Sequence, residues 1–146
     1  MGEVAAARII DPDAARQGQV FRARTVPWAV YSAPEAAGVG LTEAQARDQA
    51  EDRADAVVTA TVPLAMSGRF VAEHGVKAPG AVKLVADGAT GRILGVHILG
   101  PSAPEMIWGA AAALELELSA ADLRQIVFPH PTVSEGIREA AWSLPI

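Results

Sequence analysis

The 146-residue chain has no cysteine, no basic run and few aromatic side chains: three Trp, three Phe and one Tyr. Without cysteine there is no disulfide framework, no thiolate metal site and no thiol chemistry by the chain's own residues. A formal net charge of −5 without a basic cluster argues against a nucleic-acid partner. No apolar run reaches the roughly 18–20 residues that a membrane span needs. The nearest approach, residues 103–118, carries Glu105, Glu115 and Glu117. The start, Met1-Gly2-Glu3-Val4, lacks the charged and apolar regions of a signal peptide, so a cytoplasmic protein without a membrane partner is expected.

What is present fits one domain. Apolar residues make up 51% of the chain, many of them Ala, which allows a core built by closely approaching elements. Residues 3–10 have helical composition and stop at Asp11-Pro12; 13–24 read as a linker. Residues 26–32 are β-rich, with Pro27 suited to an edge or strand start, and 33–40 read as a loop. Thr42-Glu43-Ala44-Gln45 is a capping-box pattern that opens a helix over 44–54. Strands are expected over 56–64, 81–86 and 92–99, the last two joined by a glycine-containing turn at 87–91. Between them, 67–75 read as a turn or short helix.

A second capping-box pattern, Ser102-Ala103-Pro104-Glu105, precedes a helix over 103–118 with Met106, Ile107, Ala110, Ala111, Leu114 and Leu118 on one stripe. Short helices follow at 119–127 and from Ser134 onward. The pattern predicts an α+β fold: a mostly antiparallel sheet with helices packed on one face. Trp28, Trp108 and Trp142 are read first as core residues, with interface anchoring as the alternative.

The stretch Phe128-Pro129-His130-Pro131-Thr132-Val133-Ser134-Glu135 carries the candidate chemistry. Two prolines hold the backbone around His130 out of helical geometry. Glu135 lies in the first turn of the helix that follows and can reach back to the imidazole. An imidazole held beside a carboxylate is an oriented base. Thr132-Val133-Ser134-Glu135 is also a capping-box pattern, so Glu135 can serve the helix start, the histidine or both. His74, in a turn, and His97, placed on the face of Ile93 and Leu99, read as structural. No carboxylate pair has metal-ligand spacing with a histidine, so no metal is expected.

His130-Pro131-Thr132-Val133-Ser134-Glu135 resembles the active-site segment of the dimerisation domain of pyridine nucleotide-disulfide oxidoreductases, the family of dihydrolipoamide dehydrogenase, glutathione reductase and mercuric reductase. Val26-Pro27-Trp28, Pro34-Glu35 and Val39-Gly40-Leu41-Thr42-Glu43 look like the family's opening strand and loop. Residues 83–85, 90–97 and 100–107 look like its central hairpin and long helix.

The resemblance implies that His130 is the general acid/base of a redox dithiol, that Glu135 holds its other nitrogen, and that the His130-Pro131 backbone lies against a partner subunit's flavin. It implies a homodimer, with the helix over 103–118 and the last helix as contact surfaces, and FAD and NAD(P) in the full-length enzyme. Neither cofactor is expected on this chain alone, which lacks the flavin and nicotinamide domains and the redox cysteines. Residues 1–24 look like the remnant of a flavin-domain helix plus linker, and 25–146 like the dimerisation domain. Dihydrolipoamide dehydrogenase is the better match, because the cysteine pair of mercuric reductases is absent. The alternative is a stand-alone, non-catalytic dimerisation module in which Glu135 only caps its helix.

Overall fold

The computed structural model describes residues 2–11, 22–50 and 56–146. Residues 13–21 of the expected linker and 51–54 of the expected second helix lie outside the described residues. In chain order the elements are α1 (Gly2–Ile10), β1 (Trp28–Val30), β2 (Ala36–Gly40), α2 (Glu43–Gln49), β3 (Val57–Pro63), α3 (Gly68–His74), β4 (Ala81–Asp87), β5 (Ile93–Leu99), α4 (Ala103–Glu115), α5 (Ala120–Gln125) and α6 (Glu135–Trp142). The five strands form one antiparallel sheet in the order β1-β2-β5-β4-β3, the α+β arrangement expected.

The stretch 33–40, expected as a loop, contains β2, which pairs with β1 on one side and β5 on the other. Its composition, Ala-Ala-Gly-Val-Gly, conceals a strand because glycine is usually depleted there. Here smallness is required. A β-carbon on Gly38 would come within 2.6 Å of both the His97 ring and the Trp28 ring.

Alternate strand residues feed the main core. Ala37 and Val39, Val62, Val82 and Leu84, and Val96 and Ile98 are buried against Met106, Ile107, Ala110 and Leu114 of α4 and Ile137, Ala140 and Ala141 of α6. The predicted apolar stripe of α4 thus turns inward, and each such large aliphatic side chain contributes about 1.5–3 kcal/mol by leaving water. Among the described residues the opposite face carries α2, whose Ala46 and Ala50 pack with Val57 and Val85 in a smaller cluster. Thr42 and Gln45 form the predicted capping box at its start.

Three local expectations fail for physical reasons. Ser102 does not cap α4 with its side chain: it sits in left-handed geometry (φ 68°), and its N–H donates instead to the Glu35 carboxylate at 2.9 Å. His97 does not share a face with Ile93. The register slips between Val85 and Ala86, so Ile93 joins Val96 and Ile98 in the main core while His97 pairs with Lys83 on the other face. None of the three tryptophans is in the core; Trp28, Trp108 and Trp142 are 49%, 71% and 59% exposed.

Candidate functional site

α6 lies on the sheet because Gly136 permits it. A β-carbon there would stand 3.1 Å from Val82 and 3.2 Å from Leu64. Close seating of the first turn of α6 also fixes Glu135, whose side chain is only 13% exposed. The segment before it wraps the helix start, and the His130–Pro131 peptide is cis.

Glu135 does both jobs its sequence position allows. Its Oε2 accepts the Thr132 N–H at 2.9 Å, the carboxylate half of a capping box. Its Oε1 lies 2.9 Å from His130 Nδ1. The threonine half of the box is missing, because Thr132 Oγ1 donates to the Pro129 carbonyl at 2.7 Å. The Thr132 N–H, then His130, hold the Glu135 carboxyl below the ordinary carboxylate range against the opposing effect of burial. An ionised carboxylate only accepts, so the proton of neutral His130 sits on Nδ1 and the Nε2 lone pair is open. The histidine side chain is 79% exposed, and Nε2 has no protein hydrogen bond among the described residues. The result is a base with one nitrogen anchored and the other presented outward.

Ser67 braces the same segment from a distant part of the chain. Its buried hydroxyl accepts the Phe70 N–H at the start of α3 and donates to the Thr132 carbonyl at 3.0 Å. Sequence reading had no signal for this contact, which joins residues far apart in the chain. Arg138 was also missed: its Nη2 is 3.8 Å from Glu135 Oε1 and 3.2 Å from Glu139 Oε1. Its spacing of three residues after Glu135 was a usable sign, since such residues neighbour one another on a helix.

The other histidines stand apart. His74 packs its ring 5.2 Å from that of Phe70. His97 lies with Nε2 3.0 Å from the Leu41 carbonyl, to which it can only donate. Neither lies beside a carboxylate arranged as Glu135 is for His130, and His74, expected in a turn, is the last residue of α3. Among the described residues no group of three or more His, Asp or Glu could hold a metal ion, and no helix is long and apolar enough to cross a membrane.

The chain is 44% identical over 119 residues to the dihydrolipoyl dehydrogenase of Thermus scotoductus, covering 82% of this chain and 24% of that protein. It is 42% identical over 116 residues to the Bacillus subtilis dihydrolipoyl dehydrogenase, covering 80% and 23%. Among solved structures it resembles LpdA of Mycobacterium tuberculosis (TM-score 0.77, 29% identity, 92% of this chain and 28% of that one). It also resembles a HOCl-induced flavoprotein disulfide reductase of Escherichia coli (TM-score 0.75, 28% identity, 92% and 30%). The chain spans about a quarter of the length of these curated relatives. Residues 26–141 match the family model of the pyridine nucleotide-disulphide oxidoreductase dimerisation domain. The chain therefore belongs to the pyridine nucleotide-disulphide oxidoreductase family and carries its dimerisation domain.

Proposed function

We propose that His130 and Glu135 form the acid/base pair of a disulfide oxidoreductase of the dihydrolipoyl dehydrogenase type, acting in the cytoplasm as a homodimer, and that the pair serves the redox dithiol of the partner subunit. The observation that carries this reading is the exposed imidazole, anchored through Nδ1 on a nearly buried carboxylate with Nε2 left open. Nε2 takes a proton from a thiol, which becomes the thiolate that attacks a disulfide sulfur; in the reverse direction it returns the proton. Glu135 stabilises the imidazolium formed in between and keeps the ring from turning. The proton has to travel only between Nε2 and sulfur, so the geometry asks nothing of Glu135 beyond holding Nδ1–H.

The reading takes FAD and NAD(P) as cofactors of the complete enzyme. The exposed residues His130 and Pro131 fit the rim of a flavin site assembled with other parts of the enzyme, not a cradle of their own. The flavin, when bound, supplies the passage of electrons between nicotinamide and disulfide. Residues 1–24 are read as belonging to a preceding flavin domain and linker; the exposed Ile9 and Ile10 of α1 support this, since such side chains are usually covered. Homodimerisation is supported by the outward Trp108 and Trp142 on α4 and α6, the two helices read as contact surfaces.

The Thr132 N–H bond to Glu135 is all that a purely structural, non-catalytic module would need. The second oxygen turned to His130 is what favours the acid/base reading. The test is a chimaera in which this chain's residues 26–141 replace the matching segment of the Thermus scotoductus dihydrolipoyl dehydrogenase. It is expected to bind flavin, dimerise and turn over dihydrolipoamide. A flavin-loaded dimer without turnover would reject the reading in favour of the structural module.

A further inference from the structure

Glu135 Oε1 has two cationic claimants. His130 Nδ1 is at 2.9 Å and Arg138 Nη2 at 3.8 Å. The arginine is beyond hydrogen-bond distance of that oxygen, yet close enough for its charge to act on it. It is kept there by Glu139, whose Oε1 accepts from Nη2 at 3.2 Å. A guanidinium that commits to one carboxylate normally engages it with two nitrogens. Arg138 does not: a single nitrogen stands between two carboxylates, and its Nε is buried without a hydrogen-bond partner. The arrangement has two ways to settle. With Arg138 on Glu139, Oε1 belongs to the imidazole. With Arg138 shifted onto Glu135, the guanidinium competes for the same oxygen.

Resting on the acid/base reading of His130 and Glu135, we infer that Arg138 is a positioning residue that competes with His130 for Glu135 Oε1, and that Glu139 sets the strength of this competition by holding Arg138 back. The pair on α6 thereby tunes how readily the imidazole takes up a proton, without touching substrate. The Arg138 charge is also among the influences that hold the Glu135 carboxyl down, after Thr132 and His130.

The other groups around the pair leave this balance to α6. Thr132 supplies a backbone N–H, and Ser67 a hydroxyl engaged with Phe70 and Thr132. Beneath Gly136 the sheet presents Val82 and Leu64. Lys83 on β4 is paired with Glu43. From α5, Arg124 bonds the Ala141 and Ile146 carbonyls at the far end of α6.

The experiment is NMR titration of the His130 ring in this 146-residue chain, with His74 and His97 as internal references and His130→Gln to assign the signal. Arg138→Met removes the competing cation, so the imidazolium is favoured and the His130 midpoint rises by roughly 0.3–0.5 pH unit, the scale of one nearby unit charge in a solvated setting. Arg138→Lys keeps the charge and restores most of the wild-type midpoint. Glu139→Gln releases Arg138 towards Glu135 and lowers the midpoint by a similar amount.

An unchanged His130 midpoint in both Arg138→Met and Glu139→Gln, or shifts shared equally by His74 and His97, overturns the assignment. If Arg138→Met does not fold, Glu139→Gln decides alone, because it leaves the arginine in place. Failure of the acid/base reading is read elsewhere: His130→Gln without effect on turnover of the chimaera rejects that reading and leaves the titration result standing.

Discussion

Replacing His130 by Gln in the dihydrolipoyl dehydrogenase chimaera is expected to lower turnover by about 10²–10⁴-fold, the usual contribution of a positioned acid/base group. Gln retains a polar side chain of similar reach, and its amide can still meet Glu135, so the segment around Pro131 and Thr132 keeps its hydrogen bonds to Glu135 and Ser67. What is lost is a group that can both gain and release a proton. The loss therefore falls on kcat, with flavin content and dimerisation unchanged. Stopped-flow measurement of flavin reduction by dihydrolipoamide locates it in the thiol half of the reaction. A variant with near-normal turnover would leave His130 as an exposed helix-start residue and nothing more.

Gly95→Ala is expected to be among the most damaging single substitutions in the fold, costing about 3 kcal/mol, at the upper end of overpacking changes. Gly95 sits in β5 opposite Gly40 of β2, and a β-carbon there would overlap the Leu41 carbonyl oxygen. That oxygen belongs to backbone. Leu41 is tied to β5 by its own N–H, which donates to the Leu94 carbonyl at 2.8 Å. The chain can make room only by breaking this junction, from which α2 departs one residue later. Gly38→Ala is the internal comparison. Its β-carbon would meet the His97 and Trp28 rings, which are side chains and not backbone, and Trp28 is half exposed. Its cost should be about 1 kcal/mol, smaller by some 2 kcal/mol. Urea denaturation of the two variants gives the ranking, and equal midpoints would show that the β2–β5 junction yields more easily than its geometry implies.

The contrast between these glycines marks what the sequence could and could not reveal. Alternating β-branched residues in 57–63 declared that strand, and the 3.6-residue spacing of Met106, Ile107, Ala110 and Leu114 declared the buried face of α4. β2 was hidden because the demands on it come from neighbours on both sides, not from its own propensity. The face of His97 was misjudged because a register slip changes the parity of everything after it, and nothing local announces the slip. Ser102-Ala103-Pro104-Glu105 carries a good capping pattern, yet Glu35, distant in sequence, satisfies the Ser102 N–H.

The same division runs through the site. His130 and Glu135 were legible because both lie in one proline-framed stretch, and their contact is local. Even the double service of Glu135 followed from overlapping two short patterns. Ser67 was invisible, since only the fold brings α3 against residue 132. Arg138 lay in plain view at helical spacing, but its significance depends on which of two carboxylates it meets, and that is decided by side-chain packing.

Hybrid dimers of the chimaera test most directly whether His130 works on the other subunit's dithiol. One protomer carries His130→Gln; the other has its redox cysteines replaced by serine; each alone is inactive. In a mixed dimer, action across the subunit boundary places the intact His130 of the cysteine-free protomer beside the intact dithiol of its partner. Turnover should therefore appear when the two inactive proteins are co-expressed and the doubly tagged dimer is isolated. A correctly assembled, flavin-loaded hybrid that stays inactive would contradict a dyad working in trans.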